Sequence, residues 1–133
     1  MTEEKTGPTI LIAEDNPAVR GFISAVLSQA GYQVLVAEDG GKSLEICTNH
    51  AGQIAALVTD VMMPNTNGRE LAERARLVRP HLNVLFVSGY ADRAPKEVNQ
   101  ANPCFAFLEK PFTAESLLTA VGNFCPLAAV VCS

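Results

Sequence analysis

The sequence predicts an α/β fold in which five parallel strands form one doubly wound sheet. Five short apolar segments alternate with five helical segments along the chain. This pattern places helices on both faces of a parallel sheet through right-handed crossovers. The apolar segments are hydrophobic throughout and do not alternate with polar residues, as expected for strands buried on both sides.

The first half of the chain supplies three strands and two helices. The first strand, 9–13, is followed by Asn16-Pro17, which starts a helix because Asn caps well and Pro fits the first helical position. Gly31 ends that helix. Apolar residues at spacings of three and four give it one buried face, formed by Val19, Phe22, Ile23, Val26, Leu27 and Ala30. The next strand, helix and strand are predicted at 32–37, 43–50 and 54–59.

The second half supplies the remaining elements. A strong helix over 69–79 points Leu71, Ala72, Ala75 and Val78 inward, and Pro80 ends it. A strand over 83–88, a weaker polar helix over 92–101 and a strand over 105–109 follow. Thr113 caps the last helix, which buries Leu117, Leu118 and Val121.

The length of 133 residues predicts one domain with a real core. We assign residues 1–8 to a loose arm, 9–124 to the domain and 125–133 to a tail that is unexpectedly apolar. The tail could pack on the domain, pair with another chain or mark a boundary. The sequence does not choose among these.

Composition excludes several classes of protein. A net charge of −4 and a pI near 5.1 argue against a nucleic-acid surface. No segment approaches the length of a membrane span, and the polar N-terminus is not a signal peptide. The cysteines Cys47, Cys104, Cys125 and Cys132 lack metal-site spacing and are expected to be reduced. A cytoplasmic location follows.

Reactive side chains stand where the strands end. Glu14-Asp15 follow the first strand, Asp60 the third, Ser88 the fourth and Lys110 the fifth. In a flavodoxin-like order of 2-1-3-4-5, strands one and three are neighbours, so three carboxylates converge. Carboxylates this close need a cation or a shared proton, and oxygen ligands suit Mg²⁺ or Mn²⁺. Lys110 and Ser88 suit phosphoryl oxygens, which predicts a phosphoryl-transfer site.

The chain resembles a response-regulator receiver domain of bacterial two-component signalling over about residues 9–124. The resemblance rests on four motifs in order, at 12–15, 59–64 with Gly68, 87–89 and 110–112. It implies that Asp60 accepts a phosphoryl group from a histidine kinase or phosphotransfer domain. It also implies that Glu14, Asp15, Asp60 and the Met62 carbonyl hold Mg²⁺, that Ser88 and Lys110 bind phosphoryl oxygens, and that the Lys110-Pro111 bond is cis.

Further details follow from the same resemblance. Phe107 occupies the switch position, three residues before the lysine, and Tyr90 is either a site cover or a surface aromatic. The runs 87–91 and 68–71 resemble receivers of hybrid histidine kinases, so the chain could belong to a longer protein. A homodimer is possible. No independent enzymatic activity is expected beyond Mg²⁺-dependent self-phosphorylation and autodephosphorylation.

Three other functions compete with this interpretation. A haloacid-dehalogenase-type phosphatase needs a second acid where Met62 stands. A flavodoxin needs a phosphate loop where Glu14-Asp15-Asn16-Pro17 stand. The serious rival is a pseudo-receiver, a protein-interaction module that is not phosphorylated. Such a module would normally have lost part of the constellation, and here all of it is present.

Overall fold

A computed structural model describes residues 7–63, 66–89 and 104–124 of the chain. The predicted helix over 92–101, Tyr90, the tail 125–133 and most of the arm lie outside these residues. The elements in chain order are β1 (Thr9–Ala13), α1 (Pro17–Ala30), β2 (Gln33–Ala37), α2 (Gly40–Asn49), β3 (Ala56–Asp60), β4 (Met62–Met63), β5 (Thr66–Asn67), α3 (Gly68–Val78), β6 (Asn83–Ser88), β7 (Phe105–Glu109) and α4 (Ala114–Phe124).

The main sheet has the predicted topology. Its five strands are parallel and lie in the order β2-β1-β3-β6-β7, which is the predicted 2-1-3-4-5 when the short β4 and β5 are left out. The register pairs Ala13 with Thr59, Asp60 with Val87 and Ser88 with Glu109. The carboxyl ends of β1, β3, β6 and β7 therefore meet at one edge.

Two hydrophobic layers cover the sheet, one on each face. Successive strand residues point to opposite faces, so Ile10 and Ile12 belong to one layer and Leu11 and Ala13 to the other. The first layer includes Ile23, Leu27, Leu117 and Val121 from α1 and α4. The second includes Cys47, Leu71, Ala72 and Ala75 from α2 and α3. Helices therefore cover both faces, as predicted.

The predicted caps of α1 and α4 are confirmed. The Asn16 side chain accepts hydrogen bonds from the N–H groups of Ala18 at 2.9 Å and Val19 at 3.2 Å. Gly31 ends α1 with a left-handed φ of 114°, a conformation that glycine adopts without steric cost. At the start of α4, Thr113 Oγ1 accepts from the Ser116 N–H at 3.0 Å.

Other boundaries differ from the predictions because of side-chain capping and strand pairing. Helix α2 begins at Gly40 and not at 43, since Asp39 accepts a hydrogen bond from the Lys42 N–H at 2.7 Å. Strand β3 runs over 56–60 and not 54–59, because pairing with β6 continues to Asp60. The loop after β3 also contains an antiparallel β4–β5 pair that the sequence pattern did not predict.

Two residues assigned to inward helix faces are substantially exposed. Val78 ends α3 with 45% of its surface exposed, and Phe22 of α1 is 42% exposed. The Phe22 ring lies 6.1 Å from the Phe112 ring, between centroids. This contact joins α1 to the segment that follows β7.

Arg79 joins the end of α3 to the end of α2. Its guanidinium donates hydrogen bonds of 2.8 Å to three carbonyl oxygens, those of Cys47, His50 and Gly52. These carbonyls belong to the last turn of α2 and the loop after it, where helix carbonyls lack intrahelical partners. A cation at a helix C-terminus is also favoured by the helix dipole.

We predict that Arg79→Ala lowers the free energy of unfolding by about 2–4 kcal/mol, because three carbonyls lose a charged donor. The measurement is urea denaturation. Arg74→Ala, five residues earlier in α3, is the matched control, since among the described residues Arg74 makes only an exposed pair with Glu70 at 3.4 Å. Its cost should be about 0.3–0.5 kcal/mol. Equal losses in the two variants would contradict the assigned role of Arg79.

Candidate functional site

Three carboxylates converge at the carboxyl edge of the sheet, as predicted. Glu14 and Asp15 follow β1, and Asp60 is the last residue of the neighbouring β3. One carboxylate oxygen from each residue lies within 4.8 Å of the other two. The parallel pairing of β1 with β3 brings together residues 45 positions apart in the chain.

The Glu14 side chain is the most deeply buried of the three carboxylates, with 1% exposure of the residue. Its Oε2 accepts a hydrogen bond from the Asn16 N–H at 3.1 Å. Burial raises the pKa of Glu14, and the charge of Asp60 raises it further, while the bonds from Asn16 and Lys110 oppose the shift. Asp15 is exposed.

Arg20 fixes the backbone of the same loop from α1. Its guanidinium Nη1 donates a hydrogen bond of 2.9 Å to the carbonyl oxygen of Glu14. Arg20 was not among the residues predicted from the sequence. This contact could have been predicted from the position of Arg20, one turn into α1 and six residues after Glu14, because a long side chain there can reach back over the helix N-terminus.

Both carboxylate oxygens of Asp60 have donors. Oδ1 accepts from the Met62 N–H at 3.0 Å, and Oδ2 accepts from the Lys110 ammonium at 2.7 Å. Asp60 is 8% exposed, so the side chain reaches the surface only at its tip. Two bonds therefore orient the carboxylate within a nearly closed site.

Lys110 is shared between two carboxylates. Its Nζ lies 2.7 Å from Asp60 Oδ2 and 3.2 Å from Glu14 Oε1. Burial disfavours the charged form of Lys110, but the bond to Asp60 and the charges of Glu14 and Asp60 outweigh this and raise its pKa. The lysine is therefore a cation in the site at neutral pH.

The backbone around Lys110 is anchored on both sides. The Lys110 N–H donates a hydrogen bond of 2.7 Å to the Ser88 carbonyl. The Lys110-Pro111 peptide bond is cis, as predicted. Phe112 then packs against Phe22 of α1. These contacts hold the lysine over the ends of β1 and β3.

The charge balance of the site fits a divalent cation. When all three carboxylates are ionised they carry three negative charges, and Lys110 supplies one positive charge, so two negative charges are left uncompensated. All three ligand groups are carboxylate oxygens, the donors that Mg²⁺ prefers. The residues present therefore fit Mg²⁺, and Mn²⁺ accepts the same donors.

Gly68 packs directly against the backbone of Asp60. A Cβ atom at Gly68 would collide with the Asp60 carbonyl oxygen and lie 3.0 Å from the carbonyl carbon. The Gly68 N–H also donates a hydrogen bond of 2.6 Å to the Val61 carbonyl. Gly68 belongs to one of the motifs in the sequence, and this close approach is the physical reason for a glycine there.

The structure brings some of the other predicted residues to the site. Ser88 ends β6 and is 3% exposed. Phe107 is partly buried against the α2–α3 layer and pairs with Phe86 across β6 and β7. Met62 is 51% exposed, whereas Met63 is buried. Tyr90 lies outside the described residues.

The two histidines stand apart from this edge. His50 and His81 both line a cleft at the amino edge of the sheet. Cys47 is a free cysteine, and burial raises the pKa of its thiol. No helix within 7–63, 66–89 or 104–124 is long and apolar enough to cross a membrane.

Comparison with known proteins identifies the family. Residues 10–122 match the family described as the response regulator receiver domain. The chain belongs to this family. Its resemblance to two-component receivers is thereby confirmed, and the chain is a receiver domain of two-component signalling.

Individual relatives agree with the family assignment. The chain is 37% identical over 120 residues to the sensor kinase CckA of Brucella abortus (strain 2308), covering 90% of this chain and 13% of that protein. It is 33% identical over 112 residues to the response regulator receiver protein CpdR of the same organism, covering 84% of this chain and 92% of that one. The chain therefore spans about an eighth of one relative and nearly all of the other.

Solved structures show the same fold. A crystal structure of the receiver domain from the hybrid histidine kinase CckA is 34% identical to this chain, with a TM-score of 0.74, and covers 86% of this chain and 96% of that one. A response regulator receiver protein from Sinorhizobium medicae WSM419 gives 30% identity and a TM-score of 0.77, covering 90% and 94%. Membership of the receiver family argues against the phosphatase and the flavodoxin alternatives. These comparisons do not favour a pseudo-receiver.

We predict that Gly68→Ala destabilises the receiver by at least about 2 kcal/mol, because the added methyl group meets backbone atoms that cannot move independently of Asp60. Thermal unfolding measures this change. Gly21→Ala is the control: Gly21 lies within α1 and a Cβ there meets nothing within 4 Å. That variant should gain about 0.5–1 kcal/mol. A neutral Gly68→Ala would contradict the close approach.

Proposed function

We propose that Asp60 accepts a phosphoryl group from a phosphohistidine on a histidine kinase or a phosphotransfer domain. The observation that carries this proposal is the Asp60 carboxylate itself. It ends a central strand beside Glu14 and Asp15, and one of its oxygens bonds to Lys110 at 2.7 Å. A carboxylate held in place beside a cation is suited to attack phosphorus.

The transfer exchanges one bond for another. An Asp60 carboxylate oxygen forms a bond to phosphorus, and the P–N bond to the donor imidazole breaks, with its electron pair remaining on nitrogen. The Lys110 ammonium and the Ser88 hydroxyl are proposed to donate hydrogen bonds to the phosphoryl oxygens. The Lys110 ammonium already lies within hydrogen-bonding distance of Asp60. A short movement would therefore bring it within hydrogen-bonding distance of a phosphoryl oxygen.

Glu14, Asp15, Asp60 and the Met62 carbonyl are the proposed ligands of Mg²⁺. When bound, the ion supplies positive charge that offsets both the carboxylates and the incoming phosphoryl oxygens. Hydrogen bonds already orient two of these ligands. The Asn16 N–H donates to one Glu14 oxygen, and the Met62 N–H donates to one Asp60 oxygen. The uncompensated negative charge of the three carboxylates supports their assignment as Mg²⁺ ligands.

Phe107 is the proposed switch residue, and Tyr90 the proposed site cover. Ser88 stands two residues after Phe86 in β6, and Phe86 pairs with Phe107 of β7. Movement of Ser88 toward a phosphoryl group would therefore alter the packing beside Phe107. Phe107 has no hydroxyl group, so it can respond to this movement only through a change in its packing.

The remaining partner and location assignments are also proposals. The phosphohistidine donor is the principal partner, and a homodimer could form through the surface that the switch alters. The net charge of −4 supports the proposal that the chain does not bind nucleic acid. A cytoplasmic location is consistent with the expected reduced cysteines.

The first test is phosphorylation with acetyl phosphate and Mg²⁺, followed by mass spectrometry. The native chain should gain one base-labile phosphoryl group, and Asp60→Asn should gain none, because an amide is a poor nucleophile. The fold should persist, since Asn can still accept from the Met62 N–H. Asp39→Asn is the matched control at the end of β2 and should label normally. Native-level labelling of Asp60→Asn would refute the acceptor assignment.

The second test is thermal unfolding with and without Mg²⁺. Binding to the folded state stabilises by RT ln(1 + [L]/Kd), or about 2.7 kcal/mol at a hundredfold excess over Kd. We expect the melting temperature to rise in the native chain, and the rise to be much smaller in Asp15→Asn. Glu38→Gln should respond like the native chain. A native melting temperature indifferent to millimolar Mg²⁺ would contradict the proposed metal site.

The third test follows the switch by backbone NMR. A phosphoryl mimic such as beryllofluoride should shift the resonances of β7 and α4 in the native chain. Asp60→Asn, which lacks the acceptor carboxylate, is the control and should show no such shifts. Identical spectra of the native chain with and without the mimic would count against a switch at this surface.

A further inference from the structure

Arg20 makes hydrogen bonds to both residues that flank Asp15. Its backbone N–H donates a bond of 2.9 Å to the carbonyl oxygen of Asn16. Its side chain reaches back along the chain, and Nη1 donates a bond of 2.9 Å to the carbonyl oxygen of Glu14. The first bond belongs to the backbone ladder of α1 and does not depend on the side chain at position 20. The second bond requires a long side chain with a donor at its end.

The position of the Asp15 carboxylate depends on its backbone. Asp15 is exposed, and within the part of the chain that the structure describes its carboxylate makes no hydrogen bond or ion pair. The Glu14 carboxylate, in contrast, accepts bonds from Lys110 and from the Asn16 N–H. The peptide group that joins Glu14 to Asp15 is planar, so its carbonyl oxygen and the Asp15 N–H have one common orientation. A bond that holds this oxygen therefore sets the direction in which the chain enters Asp15.

The backbone on either side of this peptide group is anchored separately. The Glu14 N–H donates a hydrogen bond of 3.2 Å to the Ala37 carbonyl at the end of β2, which fixes the preceding peptide group. The Asn16 side chain caps α1, which fixes the residue after Asp15. The bond from Arg20 holds the peptide group between these two anchors.

We infer that Arg20 is a positioning residue for Mg²⁺ binding, an inference that rests on the proposed metal site. Arg20 acts through the Glu14 carbonyl, and it keeps Asp15 where its carboxylate meets those of Glu14 and Asp60, with one oxygen of each within 4.8 Å of the others. Removing a residue that orients a metal ligand typically lowers metal affinity about 10–100-fold.

The positive charge of Arg20 has the opposite effect on a divalent cation. A guanidinium bonded to the Glu14 backbone repels Mg²⁺, so loss of the charge alone would tighten Mg²⁺ binding. Loss of positioning would weaken it. The sign of the change in Mg²⁺ affinity therefore separates these two effects, and a residue that contributed only to stability would leave the affinity unchanged.

The test is an NMR titration of the metal-free, full-length chain with MgCl₂ that follows the backbone amides of residues 14–16 and 60. Arg20→Met should bind Mg²⁺ about tenfold more weakly than the native chain. Methionine keeps the apolar length and the helix propensity of arginine but has no donor, so the variant is expected to fold. Arg74→Met is the matched control, since it removes the same charge from the exposed pair with Glu70. It should bind like the native chain.

Arg20→Lys provides the rescue. Lysine restores a donor and also the positive charge, and the charge by itself opposes Mg²⁺ binding. Binding that is tighter in Arg20→Lys than in Arg20→Met therefore comes from the restored hydrogen bond. Equal Mg²⁺ affinities in these two variants would contradict the positioning role.

Labelling by acetyl phosphate separates the affinity for Mg²⁺ from the phosphoryl transfer. The Mg²⁺ concentration that gives half the maximal rate should rise about tenfold in Arg20→Met. The rate at saturating Mg²⁺ should stay within about twofold of the native rate, because Asp60 and Lys110 are unchanged.

The outcomes distinguish this inference from the proposals on which it rests. Native-like or tighter Mg²⁺ binding by Arg20→Met, or equal weakening in Arg74→Met, would overturn the role of Arg20 and leave the metal site intact. A native chain that does not bind Mg²⁺ would overturn both the metal site and the role of Arg20. A native chain that binds Mg²⁺ but is not labelled would refute Asp60 as the acceptor, while the titration would still decide the role of Arg20.

Discussion

The ion pairs of Lys110 with Glu14 and Asp60 join the ends of three strands of the sheet. Lys110 follows β7, Glu14 follows β1 and Asp60 ends β3, and the two N–O distances are 3.2 and 2.7 Å. Without this cation, two nearly buried carboxylates would face each other at close range, which is unfavourable in a low-dielectric environment. The remaining surplus of negative charge fits a divalent cation.

The geometry of this charged site depends on backbone packing around it. Gly68 allows α3 to approach the Asp60 carbonyl, and Arg20 holds the Glu14 carbonyl from α1. The contact between Phe22 and Phe112 fixes the segment after Lys110. The residues Asp60 and Glu14 are thus positioned by different helices, so the site depends on the packing of the α/β framework and not on a single motif.

The two edges of the sheet have different chemistry. The carboxyl edge carries the carboxylates, Lys110 and Ser88, whereas the amino edge carries a cleft of mixed polarity with both histidines. A parallel sheet separates these edges by the full length of its strands.

Patterns in the sequence were sufficient to predict the fold and the convergence of Glu14, Asp15 and Asp60 at one edge of the sheet. Apolar strands, the Asn16 and Thr113 caps and the Gly31 stop depend on neighbours only a few residues away, so they can be read from the chain itself. The resemblance to receiver domains gave the residue roles, which remain proposals until the labelling and metal experiments test them. The strand order, which brings Asp60 beside Glu14, was predicted by taking the flavodoxin-like order for a five-stranded parallel sheet.

Only the tertiary structure decided contacts between residues far apart in the chain. The bond between Arg79 and the end of α2, the exposure of Phe22 and the extension of β3 to Asp60 depend on which surfaces meet. The same is true of the collision that forbids a side chain at Gly68, since it involves a backbone carbonyl eight residues away. Sequence patterns report local preference and burial, whereas these features follow from the packing of elements in three dimensions.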